Sequence, residues 1–208
     1  MDWQRLIKIT NIMKNPGQKL RLAILASGSG SNAARFMDYF QDHPDIAVAL
    51  VVSNNASAGV LDKAAVYGVE SRVLPAAAWE DKQAVLALFD DFGIDAIVLA
   101  GYMRLIPGWL IQKYPDRIFN IHPALLPDFG GKGMYGIYVH RAVIQSGAKR
   151  TGITIHLVNE RYDEGRILFQ ESIPVYPEDT PERLAKRVQR LEHKYYPTVV
   201  EEEVCSRK

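Results

Sequence analysis

The sequence predicts an α/β fold of the Rossmann-like type, with a doubly wound, mostly parallel sheet. From Leu20 onward, short apolar or β-branched runs alternate with segments of helical periodicity. Strands that are apolar on both faces and separated by helices are typical of a parallel sheet covered on both sides. Two later β-rich runs flank a short polar connection, which predicts an antiparallel C-terminal strand pair. A long C-terminal helix closes the chain.

The predicted elements follow in chain order. Parallel strands are expected at residues 20–27, 47–53, 70–74, 96–100 and 117–121. Helices are expected at residues 32–42, 59–67, 79–92, 107–114 and 139–146. The antiparallel pair covers residues 150–158 and 166–175. The last helix runs from Pro181 to Glu202, because Thr180 is a suitable N-cap and proline fits the first helical position.

Composition indicates one domain and argues against a protein that binds nucleic acid or spans a membrane. The chain has 208 residues, 48% of them hydrophobic, so we expect a single domain over residues 20–208 after an N-terminal extension at 1–19. That extension packs on the domain, frays or forms a partner-binding helix. A formal net charge of +1 gives no broad attraction to nucleic acid or to an acidic membrane surface. No apolar run suits a signal peptide or a membrane span.

The cysteine content indicates a reducing compartment. Cys205 is the one cysteine of the chain, which excludes an intramolecular disulfide and a CxxC metal site. The histidines show no HxH or HxxxH spacing, and we expect no metal. The predicted location is therefore the cytoplasm.

The segment "LASGSGSN", residues 25–32, lies where the first strand should turn into a helix. Exposed amides at a helix N-terminus bind anions, and glycine lets the backbone approach them. Ala33 stands where the third glycine of GxGxxG would fall, and a P-loop lysine is absent, so a monophosphate fits better than a dinucleotide. A tight turn without a ligand is the alternative.

A second candidate site follows the fifth strand. Asn120 and His122 are two residues apart, so an extended segment directs both side chains to one face. An amide and an imidazole placed together can stabilise an oxyanion, and His122 can also transfer a proton. Asp163, in the connection of the antiparallel pair, would orient the imidazole. The alternatives are a structural histidine and an Asx cap.

The other histidines are predicted to be structural. His156 lies within a strand, where we expect it to be buried and hydrogen-bonded. His43 and His140 are expected in loops or at the surface. His193 belongs to the last predicted helix.

Four ordered motifs together resemble the phosphoribosylglycinamide formyltransferase family, the folate-dependent transferases of purine biosynthesis. They are "GSGSN", "AGYMRLIP", "NIHPALLP" and "GITIHLVNERYDEGRIL", and the resemblance runs from about Leu20 to Glu201. It implies transfer of a formyl group from 10-formyltetrahydrofolate to the amino group of glycinamide ribonucleotide. We expect these two small molecules as partners, without metal, nucleic acid or membrane, and a monomer or homodimer.

The resemblance also implies roles for individual residues. The catalytic residues of the family correspond to Asn120, His122 and Asp163. Its nucleotide-binding residues, with the phosphate at the loop and the ribose at the last helix, correspond to Gly30, Ser31, Asn32 and Glu192. Its folate site, which also adjoins the loop at 159–163, corresponds to Lys82, Met103, Arg104, Leu105, Ile106 and Asn120.

The chain departs from the family pattern at three places. Glu164 and Arg166 stand in a segment where the family often has Asp-Gly-Gly-Pro, so folate contacts can differ there. The loop at 128–136 is richer in glycine than the usual version, which indicates a mobile lid. The extension before Leu20 has no counterpart in the shortest members.

Three alternatives share parts of this pattern. A methionyl-tRNA formyltransferase would need an additional C-terminal domain, and a formyltetrahydrofolate hydrolase would need a regulatory N-terminal domain. A non-catalytic nucleotide- or folate-binding module would bind its ligand without turnover. The intact set of Asn120, His122 and Asp163 favours an enzyme.

Overall fold

The structure, a computed structural model, describes residues 18–206, and the predictions on residues 1–17 lie outside that range. Seven strands of the described residues form one sheet. They are β1 (Leu20–Leu25), β2 (Ile46–Ser53), β3 (Ser71–Val73), β4 (Ala96–Leu99), β5 (Ile118–His122), β6 (Arg150–Leu157) and β7 (Ile167–Pro174). Their order across the sheet is β3-β2-β1-β4-β5-β6-β7.

Six α-helices connect or follow these strands in the described range. They are α1 (Ser31–Phe40), α2 (Gly59–Val66), α3 (Lys82–Asp91), α4 (Gly108–Lys113), α5 (Ile137–Gln145) and α6 (Pro181–Cys205). A short 3-10 helix at Ala76–Glu80 precedes α3.

The pairing of the strands confirms the predicted fold class. Strands β1 to β5 are mutually parallel, whereas β6 runs antiparallel to β5, and β7 antiparallel to β6. The carboxyl ends of β1, β4 and β5 therefore meet at one edge of the sheet. The connection between β6 and β7 begins at the end of β6, beside the start of β5.

Alternating side chains along the central strands separate two apolar layers. In β1, Leu22 and Ile24 face one layer, whereas Ala23 and Leu25 face the other, and all four are 0% exposed. The first layer packs on α1, α2, α5 and α6, and the second on α3 and α4. Full burial of one such leucine or isoleucine side chain contributes roughly 1.5–3 kcal/mol.

The predicted helix at 79–92 is wrong at its start. Residues Ala76–Glu80 form the 3-10 helix, and α3 begins only at Lys82. The break lies at Asp81, which has a non-helical backbone and accepts a hydrogen bond from the N–H of Ala84 at 3.0 Å. Asp81 is therefore an N-cap between two short helices.

Helix α6 extends beyond its predicted end and contains Pro197 in its interior. A proline has no N–H, so the carbonyl of His193, four residues earlier, loses its helical partner. The Nε atom of Arg35 in α1 donates to this carbonyl at 3.3 Å. A side chain from α1 thus replaces the missing main-chain hydrogen bond. The predicted N-cap is confirmed, since the Thr180 hydroxyl accepts from the N–H of Arg183 at 3.3 Å.

Candidate active site

A cleft of about 640 Å³ lies at the sheet edge where the parallel strands end. Its walls come from the segments that follow β1, β4 and β5 and from the connection between β6 and β7. Ligands of open α/β sheets bind beyond the carboxyl ends of the strands. The cleft is therefore the candidate site, and it is lined by all three predicted catalytic residues, Asn120, His122 and Asp163.

The loop after β1 forms one end of the cleft. It enters α1 through Gly30, whose φ of 71° lies in the left-handed region. A Cβ atom at Gly30 would lie 2.5 Å from Cγ2 of Val60, so the position requires glycine. The predicted residues Gly30, Ser31 and Asn32 all line the cleft. The first turn of α1 has backbone N–H groups without helical partners, which suit an anion.

Helix α6 closes this end of the cleft. Nε2 of Gln189 donates to Oγ of Ser31 at 3.0 Å, and Nδ2 of Asn32 donates to Oε2 of Glu192 at 2.7 Å. Burial raises the pKa of Glu192, although the hydrogen bond from Asn32 acts in the opposite direction. Oδ1 of Asn32 is buried and has no hydrogen-bond partner among residues 18–206. Oδ1 of Asn32 and the carboxyl group of Glu192 can accept hydrogen bonds from the hydroxyl groups of a bound ligand.

Asn120 in β5 lies directly opposite His156 in β6. Nδ2 of Asn120 lies 3.1 Å from Nε2 of His156, and Nδ1 of His156 lies 2.8 Å from the carbonyl oxygen of Leu157. Because a carbonyl can only accept, His156 carries its proton on Nδ1 and accepts at Nε2. The prediction that His156 is buried and hydrogen-bonded is confirmed, since it is 2% exposed. This hydrogen bond fixes the Asn120 amide group, with Nδ2 at 3.5 Å from Oδ1 of Asp163.

His122 is the last residue of β5 and is 3% exposed. Its Nε2 lies 2.8 Å from the carbonyl oxygen of Phe129, and its Nδ1 lies 3.5 Å from Oδ2 of Asp163. The carbonyl accepts, so Nε2 carries a proton, and Nδ1 is the atom that can gain one. Burial lowers the pKa of His122, and the opposing effect of the Asp163 charge is smaller. The imidazole is therefore neutral at pH 7.

Asp163 lies in the connection between β6 and β7, with a φ of 58°. Burial alone would raise its pKa. The N–H of Gly131, together with the positive charge that the His156 or the His122 ring carries when it is protonated, holds that pKa below its usual range. The Gly131 N–H donates to Oδ2 at 2.9 Å. At neutral pH an ionised carboxylate thus lies beside a neutral imidazole, and the pair can hold a proton between them.

The segment predicted for folate forms another wall of the cleft, after β4. The backbone N–H of Met103 donates to Oγ of Ser27 at 2.9 Å, and this Oγ donates to Oδ1 of Asn54 at 2.6 Å. These two bonds tie together the loops after β1, β2 and β4. The predicted folate residues that line the cleft are Met103, Arg104, Leu105, Ile106 and Asn120. Met103 and Leu105 are about half exposed, which offers apolar surface to a ligand.

One predicted site residue lies outside the cleft lining, and the predicted placement of one histidine is wrong. Lys82 begins α3, is exposed and does not line the cleft, so its folate contact stays a prediction. His140, expected in a loop or at the surface, instead lies in α5 and is 4% exposed. Its side chain shares the buried face of α5 with Val143, three residues later. Burial, and to a smaller extent the charge of His122, lowers the pKa of His140 to about 4.

The sequence carries no signal for the backbone groups that hold the predicted catalytic residues. The Phe129 carbonyl and the Gly131 N–H belong to a glycine-rich loop whose path cannot be read from residue types. Gln189 also lines the cleft, and it lies three residues before Glu192 on the same face of α6. That helical spacing is a signal from which Gln189 could have been predicted.

Within residues 18–206, no group of three or more His, Cys, Asp or Glu side chains is arranged to hold a metal ion. Over the same range, every helix is too short or too polar to cross a membrane.

The fold and the cleft define a group-transfer protein of a known class: the chain belongs to the formyl transferase family, whose sequence model matches residues 20–200. The phosphoribosylglycinamide formyltransferase of Bacillus subtilis is 35% identical over 187 residues, which cover 88% of this chain and 93% of that protein. The chain therefore belongs, within that family, with the phosphoribosylglycinamide formyltransferases.

Other relatives and solved structures agree with this assignment. The chloroplastic phosphoribosylglycinamide formyltransferase of Arabidopsis thaliana is 46% identical over 189 residues, which cover 88% of this chain. The chain spans 65% of that relative and 61% of the chloroplastic relative from Vigna unguiculata. The crystal structure of phosphoribosylglycinamide formyltransferase from Brucella melitensis is similar at a TM-score of 0.79 and 39% identity, covering 89% of this chain and 95% of that one.

Proposed function

We propose that the protein transfers the formyl group of 10-formyltetrahydrofolate to the amino group of glycinamide ribonucleotide, a step of purine biosynthesis. One observation carries the proposal: a single cleft combines Asn120, His122 and Asp163 with a helix N-terminus that suits a phosphate. The names of the relatives at 35% and 46% identity support the same reaction.

The two substrates occupy different ends of the cleft. The nucleotide phosphate accepts hydrogen bonds from the N–H groups at Gly30, Ser31 and Asn32, and a ribose hydroxyl donates to Glu192. The folate lies along the segment 103–106, where its rings contact the half-exposed Met103. This arrangement places the formyl group and the nucleotide amine beside Asn120.

Formyl transfer begins when the lone pair of the neutral amine forms a bond to the formyl carbon. The cleft holds the two reactants together and excludes water, which removes much of the entropic barrier. The formyl oxygen becomes an oxyanion, and Nδ2 of Asn120 donates to it. Loss of one such donor costs on the order of 100-fold in rate.

The proton of the attacking amine moves to Nδ1 of His122, directly or through a water held by Asp163. The resulting imidazolium is stabilised by the Asp163 carboxylate, since Nδ1 of His122 lies 3.5 Å from Oδ2 of Asp163. The positive charge of the imidazolium in turn stabilises the oxyanion. The proton then passes to N10 of the folate as the bond between N10 and the formyl carbon breaks. The products are formylglycinamide ribonucleotide and tetrahydrofolate, and the steps use neither a covalent enzyme intermediate nor a metal.

The proposal places the reaction in the cytoplasm, with the two small molecules as partners and without nucleic acid. The single Cys205 and the net charge of +1 support these two points. Two plant relatives are named chloroplastic, so fractionation of cells that produce the tagged full chain tests the location.

Formation of tetrahydrofolate by the purified protein, with and without glycinamide ribonucleotide, tests the proposed reaction. We expect turnover only when the nucleotide is present. Equal turnover without it, with release of formate, would identify a hydrolase. Binding of both ligands without turnover would identify a non-catalytic module.

A further inference from the structure

The glycine-rich loop between β5 and α5 contains a cation for which the proposed reaction has no role so far. The loop runs from Asp128 to Gly136, and residues 131–136 line the cleft. Gly131 and Gly133 have φ values of 94° and 89°, so the loop takes a path that other residues rarely allow. Lys132, between these glycines, is exposed and forms no ion pair within residues 18–206.

Among residues 18–206, three lysine or arginine side chains line the cleft, and their surroundings differ. Arg161 pairs with Oε2 of Glu164 at 3.2 Å. Arg104 belongs to the segment after β4, which leads to α4 on the far face of the sheet. The loop of Lys132 instead leads to α5, which packs against α6 on the same face as α1. Phe129 and Met134, which flank Lys132, pack against the same apolar layer as α1 and α6. The loop that carries Lys132 therefore lies on the face of the sheet that builds the nucleotide end of the cleft.

Within the described range 18–206, the residues that line the nucleotide end include no lysine or arginine apart from Lys132. The rest of this lining consists of the loop at 28–32, the amide of Gln189 and the carboxyl group of Glu192. A phosphate monoester carries between one and two negative charges at pH 7, and a carboxylate nearby would repel it. The raised pKa of Glu192 reduces this repulsion but supplies no positive charge.

We propose that Lys132 binds the 5'-phosphate of the ribonucleotide and completes a phosphate site otherwise built from backbone N–H groups. This inference rests on the proposed function. It assigns the glycine-rich loop to recognition of a sugar phosphate and not to the folate. Arg104, on the other face, is left to the carboxylates of the folate.

The same loop also holds the proposed catalytic pair. The Phe129 carbonyl accepts from Nε2 of His122, and the N–H of Gly131 donates to Asp163, one residue before Lys132. An ion pair between Lys132 and the phosphate would therefore fix the backbone that positions His122 and Asp163. Binding energy from the phosphate, remote from the reacting amine, would then increase kcat as well as affinity.

The test compares two acceptors with variants of the full chain. The acceptors are glycinamide ribonucleotide and the corresponding riboside without phosphate. Lys149→Ala is a matched control, because Lys149 is exposed and does not line the cleft. For Lys132→Ala we expect kcat/KM with the ribonucleotide to fall about 10- to 100-fold, as for loss of a charge-assisted hydrogen bond. With the riboside, kcat/KM should be unchanged, and Lys132→Arg should recover most of the loss.

Other outcomes distinguish a wrong assignment of Lys132 from a wrong proposal for the reaction. An equal fall with both acceptors, or a raised KM for 10-formyltetrahydrofolate alone, would overturn the assignment. If the unaltered protein forms no product with either acceptor, the proposed reaction fails. Calorimetry with ribose 5-phosphate then decides the phosphate site separately: weaker binding to Lys132→Ala supports it, and equal binding overturns it.

Discussion

Nδ1 of His122 and Oδ2 of Asp163 lie 3.5 Å apart, while the opposite nitrogen of the imidazole is bonded to the Phe129 carbonyl. The carbonyl bond leaves Nδ1 as the one atom of the ring that can take a proton. The carboxylate beside it favours the protonated ring. The two residues therefore act as one proton acceptor, and changing Asp163 alters the protonation of His122.

Asp163→Asn should lower kcat at least 100-fold while leaving the affinity for the nucleotide unchanged. Removal of the carboxylate takes away the charge that raises the pKa of His122, so that pKa falls further. The acid limb of the residual activity should therefore move to lower pH. Steady-state kinetics from pH 4.5 to 8 would measure both effects.

Asp128→Asn provides the matched control for this experiment. Asp128 is exposed, belongs to the glycine-rich loop and does not line the cleft. Its substitution should change neither kcat nor the acid limb. Near-normal turnover by Asp163→Asn would show that Asp163 does not take part in proton transfer.

Asn120→Ala should reduce kcat by roughly 100-fold, because the oxyanion loses a hydrogen-bond donor that His156 holds in place. The KM for 10-formyltetrahydrofolate should change much less, since the donor acts mainly on the transition state. Initial rates at varied folate concentration would separate the two constants. A large increase in KM with an unchanged kcat would instead assign Asn120 to folate binding alone.

Gly30→Ala should destabilise the fold by about 1–3 kcal/mol, since alanine at a φ of 71° is strained and its Cβ atom would meet Val60. The KM for the nucleotide should also rise, because the loop that faces the phosphate must shift. Urea unfolding gives the first quantity and initial rates give the second. Gly28→Ala is the control for stability: Gly28 has open space and no positive φ, so its unfolding midpoint should stay nearly constant.

His140→Leu should make the stability less dependent on pH. In the folded protein the pKa of His140 is about 4, below its value of about 6.5 in the unfolded chain. The unfolded chain therefore binds one more proton between these values, and the free energy of unfolding falls with decreasing pH by up to about 1.4 kcal/mol per pH unit. Urea unfolding at pH 7.5 and 5.0 should show a smaller difference for the variant. An identical difference for both proteins would contradict the lowered pKa.

Much of this fold follows from the sequence because its strands are short and apolar, helical segments alternate with them, and the last helix begins at a clear N-cap. The mostly parallel sheet, the antiparallel C-terminal pair and the N-cap at Thr180 are predictions that the structure confirms. The break at Asp81 was missed, because one residue there changes from a helical to a capping backbone without a change in periodicity.

The candidate site follows from the sequence only in part. Asn120 and His122 are recognisable by type and spacing, and Asp163 by its place in the connection and by the family resemblance. The structure brings all three into one cleft. The groups that orient them are backbone atoms of Phe129 and Gly131, which depend on the path of a loop. The burial of His140 depends on which face of α5 meets the sheet, and nine residues of mixed polarity do not determine this.

Pro197 has a consequence for the nucleotide end of the cleft. The carbonyl of His193 that it leaves free is bonded to Arg35, so α1 and α6 are joined just beyond the ligand groups Asn32 and Glu192. These two ligand groups are 160 positions apart in the chain, yet each lies within one helical turn of the hydrogen bond between Arg35 and His193. The distance between these two ligand groups is therefore fixed before a nucleotide binds. Little of the binding free energy of the nucleotide is then needed to order that end of the cleft.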